Sequence, residues 1–204
     1  MNLPNQLTIS RMVMIPVFIL FFYLNFTAHY FVALAVFGIA SLTDLFDGKI
    51  ARKYNLVTNL GKFLDPIADK VLVLAALVLF LTVPQLFNAN LGDWAIIVAG
   101  CGVAVILARE IIVSGFRMVA ADAGVVIAAD IIGKYKTVMQ DIAVVTILVG
   151  AGFAELAPVV DNTAFTICGT VINYIGLGCF AFSVLLTIIS GINYIVKNIE
   201  VLKR

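Results

Sequence analysis

Charge is scarce in this 204-residue chain: Lys, Arg, Asp and Glu together make up 12 % of it, against about 25 % in an ordinary soluble domain. With 63 % hydrophobic residues and a mean hydropathy of +1.12, that shortage excludes a water-soluble globule and predicts a polytopic membrane protein. A net charge of +1 makes no electrostatic case for nucleic acid. Cysteine is also sparse. Cys101, Cys168 and Cys179 stand in apolar segments without a CxxC spacing, so they read as small buried side chains with no disulfide role. His29 is the one histidine. No basic run precedes the first apolar stretch, and no small-x-small site follows it at Asn25-Phe26-Thr27. The N-terminus therefore reads as a retained membrane helix rather than a signal peptide.

Long apolar runs are what the chain does have. They predict an all-α integral membrane fold: one domain over 1–204, a six-transmembrane-helix bundle led by an N-terminal interfacial amphipathic helix. In residues 1–10, Leu3 and Leu7 fall on one side and Asn5 and Thr8 on another, with Pro4 suited to a first turn. Spans are expected at about 11–26, 31–52, 59–83, 94–118, 135–153 and 165–196, with Pro16 bending the first. Polar turns are expected at 84–92 and 155–162. Trp94 and Tyr30, near span ends, read as an aromatic belt. No internal repeat is evident.

Charge placement checks this topology. With six spans, all thirteen Lys and Arg residues fall on one side: Arg11, Lys49 to Lys70, Arg109 to Lys136, Lys197, Lys203 and Arg204. The other side, 27–30, 84–93 and 154–164, carries His29, Asp93, Glu155 and Asp161 but no Lys or Arg. That asymmetry predicts cytoplasmic termini. It also puts His29 across the membrane from the acidic centre described next, which leaves that centre no Ser-His or Cys-His pair.

Four carboxylates cluster on the cytoplasmic side. Asp44 and Asp47 are three apart, and Asp65 and Asp69 are four apart, so each pair shares a helical face. Gly48, Ala51 and Gly61 stand beside them and leave room for a ligand or for close helix approach. Pro66 opens a backbone hydrogen bond nearby. Unpaired carboxylates are costly in a membrane, about 2.5 to 3.5 kcal/mol each at mid-bilayer, so something positive must sit among them. Either the neighbouring Lys49, Arg52, Lys53, Lys62 and Lys70 form an ion-pair belt, or a divalent cation is held. Hard oxygen donors suit Mg²⁺, Mn²⁺ or Ca²⁺ rather than zinc.

The order Asp44-x2-Asp47-Gly48-x2-Ala51-Arg52-x8-Gly61-x3-Asp65-x3-Asp69 resembles the signature of the CDP-alcohol phosphatidyltransferases at all eight defined positions. Leu3 to Arg11, Asn55 to Lys70, Ala108 to Arg117 and Gly133 to Thr137 resemble a bacterial branch of that family which uses glycerol 3-phosphate. The resemblance covers the chain to about residue 140. It implies a transferase that joins CDP-diacylglycerol to sn-glycerol 3-phosphate with release of CMP, and a homodimer. Asp44, Asp47, Asp65 and Asp69 would bind two ions, Mg²⁺ or Mn²⁺, with Asp69 also the general base. Asp44, Gly48, Ala51, Arg52, Gly61 and Asp65 would bind CDP-diacylglycerol. Apart from the resemblance, Asn5, Thr8 and Arg11 on the N-terminal helix either cap that site or anchor the helix at the interface.

A basic group follows at Arg109, Arg117, Lys134 and Lys136. Arg109 and Arg117 are eight apart and share a face. These residues either snorkel towards anionic lipid or, with the hydroxyls of Ser114 and Thr43, bind the acceptor's phosphate. The second reading favours glycerol 3-phosphate over a neutral acceptor such as serine. It separates glycerol 3-phosphate less well from inositol phosphate or from a phosphatidylglycerol acceptor. A small cation transporter using the four carboxylates is the remote alternative. It should show acids at mid-span and internal symmetry, and this chain has neither.

Overall fold

The structure, a computed structural model, describes residues 3–54, 59–88, 92–122 and 131–198, and the side chains of 9–43, 70–87, 92–120 and 131–198. Among the described residues every regular element is an α-helix. The helices are α1 (Leu3–Tyr23), α2 (His29–Tyr54), α3 (Asn59–Leu81), α4 (Gln85–Asn88), α5 (Trp94–Asp122), α6 (Ile131–Val160) and α7 (Thr163–Asn198). Three stretches are long and apolar enough to cross a membrane by length and composition: Trp94–Ala120, Ile131–Val160 and Thr163–Asn198. Ile9–Tyr23, His29–Thr43 and Lys70–Leu81 are shorter apolar helices. The result is an all-helical membrane protein. Isoleucines and methionines that would be an aggregation hazard in water stand on its outer surface, such as Ile97 at 67 % exposure and Ile111 at 71 %, where lipid would cover them.

Several element boundaries differ from the sequence expectation. No break separates an interfacial segment from the first span, because α1 is one helix from Leu3 through Pro16 to Tyr23. The expected turn at 84–92 contains the short helix α4. The expected turn at 155–162 shrinks to two residues, since α6 runs through Pro158 to Val160. A proline this close to a helix C-terminus removes only one backbone bond before the chain would leave the helix anyway. Asp161 takes a left-handed φ of 50°, and Asn162 then caps α7, its Oδ1 accepting from the Ala164 N–H at 2.9 Å. The cysteines are free, as expected, but Cys101 and Cys168 are exposed on helix surfaces rather than buried.

Aromatic rings hold the bundle centre. Phe37 of α2 meets Phe18 of α1 at 5.9 Å between centroids, and Phe22 of α1 meets Phe80 of α3 at 5.9 Å. Phe80 touches Phe87 of α4 at 6.3 Å, and Phe87 touches Phe180 of α7 at 5.4 Å. All six rings are buried, so one chain of tilted and edge-on contacts ties five helices together.

Between α6 and α7, small residues replace large ones. A Cβ on Gly150 would lie 2.9 Å from the Asn173 backbone nitrogen and 2.9 Å from the Gly169 carbonyl oxygen. One on Gly169 would lie 3.0 Å from the Ala154 nitrogen. The two backbones therefore touch directly, the packing that membrane helices adopt where lipid gives no hydrophobic push.

The two ends of the bundle differ in charge. At one end the Tyr23 hydroxyl shares a hydrogen bond with Thr82 at 2.8 Å, and Glu155 reaches the start of α2. Glu155 Oε1 accepts from the Ala28 N–H at 2.7 Å and contacts His29 Nδ1 at 3.0 Å. A carboxylate at a helix N-terminus satisfies orphan N–H groups and the dipole together, and here it holds Ala28 at a left-handed φ of 71°. At the other end Lys70, Arg109 and Lys136 gather. The chain thus crosses back and forth between an end without described Lys or Arg and an end rich in them.

Candidate functional site

The acidic pairs sit on the two helices of one hairpin. α2 continues to Tyr54 and α3 starts at Asn59, so four residues join them and the helices run antiparallel. Asp47 lies seven residues before the last residue of α2, and Asp65 lies six after the first residue of α3. At 1.5 Å per residue those depths are about 10 and 9 Å. Asp44 and Asp69 are each ten residues from the connection, about 15 Å deep. Counted along each helix, Asp47 and Asp65 therefore stand at one distance from the connection and Asp44 and Asp69 at another, about one turn deeper. Helical backbone through all four positions keeps Asp44 with Asp47 and Asp65 with Asp69 on shared faces.

The side chains of Asp44, Asp47, Gly48, Ala51, Arg52, Gly61, Asp65 and Asp69, and those of Asn5 and Thr8, lie outside the described residues. Among the described residues no group of three His, Cys, Asp or Glu could hold a metal.

Next to the hairpin in sequence is a basic cluster built from three helices. Lys70, which follows Asp69 in α3, donates from Nζ to Glu110 Oε2 at 3.2 Å and to Ser114 Oγ at 2.8 Å. Arg109 donates from NH1 to Glu110 Oε1 at 3.1 Å. Lys136 of α6 donates to the same Oε1. Glu110 and Lys136 are buried. Lys70 is the most exposed cation of the cluster, its side chain keeping 31 % of its exposure. Arg109 is placed by close backbone approach: a Cβ on Gly191 of α7 would sit 3.2 Å from its Cγ, and one on Gly133 of α6 would sit 3.5 Å from its NH2.

Of the six residues the sequence put forward for an acceptor phosphate, the structure brings together Arg109, Ser114 and Lys136. Arg117 instead stacks its guanidinium over the Tyr194 ring at 5.6 Å, a cation–π contact. Lys134 is exposed. Thr43 donates its hydroxyl back to the Ile39 carbonyl at 2.7 Å. Lys70 and Glu110 belong to the cluster and were not singled out. One clue was available: an isolated acid in an apolar span, flanked by Arg109 and one helical turn before Ser114, needs a cation from another helix.

Known proteins are similar to this chain. The family described as CDP-alcohol phosphatidyltransferase matches residues 1–189. That reaches well past residue 140, where the sequence resemblance stopped. A Bacillus subtilis protein named CDP-diacylglycerol–glycerol-3-phosphate 3-phosphatidyltransferase is 38 % identical over 216 aligned residues, covering 99 % of this chain and 97 % of its own. A protein of the same name from Rickettsia bellii is 41 % identical over 150 residues, with 74 % of this chain and 76 % of its own covered. One from Escherichia coli K12 is 40 % identical over 149 residues, with 72 % and 76 % covered. With the Asp44–Asp69 pattern on a helical hairpin and the family match running through most of α7, the chain belongs to the CDP-alcohol phosphatidyltransferase family.

Proposed function

We propose that this protein transfers the phosphatidyl group of CDP-diacylglycerol to sn-glycerol 3-phosphate, giving phosphatidylglycerophosphate and CMP. The observation that carries this is the eight-position Asp44–Asp69 pattern on the hairpin of α2 and α3, next in sequence to a buried basic cluster. The printed names of the relatives support the same acceptor.

Asp44, Asp47, Asp65 and Asp69 would hold the divalent ions, two of Mg²⁺ or Mn²⁺. Bound there, such ions neutralise charge on the phosphoryl oxygens and on the departing CMP. Gly48, Ala51, Arg52 and Gly61, with Asn5 and Thr8, receive the cytidine diphosphate part of the donor. Arg109, Ser114 and Lys136 hold the acceptor's phosphate, and Thr43, Arg117 and Lys134 line its approach. Asp69 takes the proton from the acceptor hydroxyl as that oxygen bonds to the diacylglycerol-bearing phosphorus. General-base help of this kind contributes about 10²–10⁴-fold. The bond from that phosphorus to the CMP oxygen breaks in the same displacement, with no covalent enzyme intermediate.

The same reading sets six membrane crossings, a homodimer, and both termini with the hairpin on the cytoplasmic face of a bacterial membrane. A soluble acceptor and product can come and go there, and a lipid donor presents its headgroup at that depth. The charge split between the two ends of the bundle supports this orientation. An acceptor panel tests the reading. Purified protein with CDP-diacylglycerol and Mg²⁺ should release CMP with glycerol 3-phosphate and not with serine, inositol phosphate or phosphatidylglycerol. CMP release with one of the others alone would reassign the acceptor.

A further inference from the structure

Glu110 has no part in the reaction just described, yet it is the group on which the basic cluster is built. It is 7 % exposed. Its Oε1 accepts from Arg109 and Lys136 and its Oε2 from Lys70. Those cations come from three different helices, α5, α6 and α3. Without an acid between them they would repel one another. With it they converge, and each ammonium or guanidinium is fixed in direction by a hydrogen bond.

The charges do not cancel. Among the described residues, three cations and one carboxylate leave +2. Donors are left over as well. An ammonium has three N–H groups, and Lys70 spends two of them, on Glu110 and Ser114. Arg109 Nε is buried without a hydrogen-bond partner. A buried donor without a partner is costly, and a net +2 among apolar helices calls for an anion. A phosphate monoester carries about −1.5 to −2 at neutral pH, with its second pKa near 6. It also brings three strong acceptor oxygens. Serine and the phosphodiester of a phospholipid have no such dianion to offer.

From this geometry we infer that Glu110 is a positioning residue. It gathers Lys70, Arg109 and Lys136 into one site and trims their charge to +2, and so selects a dianionic phosphate monoester as acceptor. The inference deepens the transfer reading and rests on it only for the identity of the acceptor. The anion site stands on the cluster itself.

The test is equilibrium binding of glycerol 3-phosphate and of glycerol to the purified full-length protein, run beside steady-state kinetics. The wild type should bind glycerol 3-phosphate and not glycerol, and affinity should fall as pH drops through about 6 and the phosphate gains its second proton. Glu110→Gln should weaken glycerol 3-phosphate binding and raise its KM by about tenfold or more, as expected for loss of hydrogen bonds between charged groups. The KM for CDP-diacylglycerol should stay within about twofold. Should Glu110→Gln fail to fold, Glu110→Asp keeps the charge and shortens the reach. It should raise the acceptor KM several-fold while leaving the donor KM unchanged. Wild-type acceptor affinity in the variant that folds would overturn the inference. So would an equal loss for both substrates, or a wild type that binds no phosphate monoester. A wild type that binds glycerol 3-phosphate but makes no product would remove the transfer reading and leave the site and its test by binding intact.

Discussion

At the scale of single residues, the chemistry is divided between acids that the sequence makes conspicuous and an acid that it hides. The shared faces of Asp44 with Asp47 and of Asp65 with Asp69 could be read directly, because their spacings match the helical period and α2 and α3 are helical through all four. Glu110 and Lys70 were not legible as partners, because pairing across α3, α5 and α6 depends on which helices pack together. The setting of Arg117 was equally hidden. A shared face with Arg109 fixes direction along one helix, but Tyr194 of α7 claims its guanidinium. If Asp69 is the base, Asp69→Asn should lower kcat by about 10²–10⁴-fold with the thermal unfolding midpoint in detergent unchanged. Near-normal turnover in that variant would remove Asp69 from the role. Arg117→Ala, by contrast, should change the glycerol 3-phosphate KM far less than Arg109→Ala does.

At the scale of elements, the long helices were legible, while the short α4 and the helix ends were not. Hydropathy marks an apolar stretch without saying where the helix stops. α6 runs past Pro158 because Asp161 and Asn162 suffice to turn the chain. The contact between α6 and α7 was invisible in composition, since their glycines read as ordinary membrane-helix residues until the opposing backbone is seen. Gly150→Ala places a methyl 2.9 Å from backbone atoms of α7. It should destabilise the fold by about 1–3 kcal/mol, the usual effect of overpacking. Gly38→Ala, with nothing within 4 Å of the new methyl, should be neutral or stabilise by about 0.5–1 kcal/mol through helix propensity. Thermal unfolding of the two variants in the same detergent separates these outcomes. Glu155→Gln should weaken the cap on α2 at Ala28 and His29 and lower stability by about 0.5–2 kcal/mol without altering either substrate KM.

At the scale of the whole molecule, the distribution of charge ties fold to function. Basic residues and the acidic hairpin belong to one end of the bundle, and Glu155, His29 and Tyr23 to the other. The positive-inside pattern could be read before any helix was placed, because it needs only the order of spans and loops. With Cys101, Cys168 and Cys179 replaced by serine, a cysteine at Asn162 should react with an impermeant thiol reagent added to intact cells. One at Asn198 should react only after permeabilisation. Reaction of both from outside would contradict the six-span arrangement. Chelation with EDTA should abolish activity, and Mg²⁺ or Mn²⁺ should restore it, if the four carboxylates hold the ions as proposed. The central claim is that this hairpin performs phosphatidyl transfer to glycerol 3-phosphate. Its most direct test is the stoichiometry of one reaction: purified protein, CDP-diacylglycerol, Mg²⁺ and isotopically labelled glycerol 3-phosphate. Labelled lipid phosphate and CMP should form in equal amounts with the wild type and in neither pool with Asp69→Asn. CMP without labelled lipid, or no CMP at all from folded wild-type protein, would contradict it.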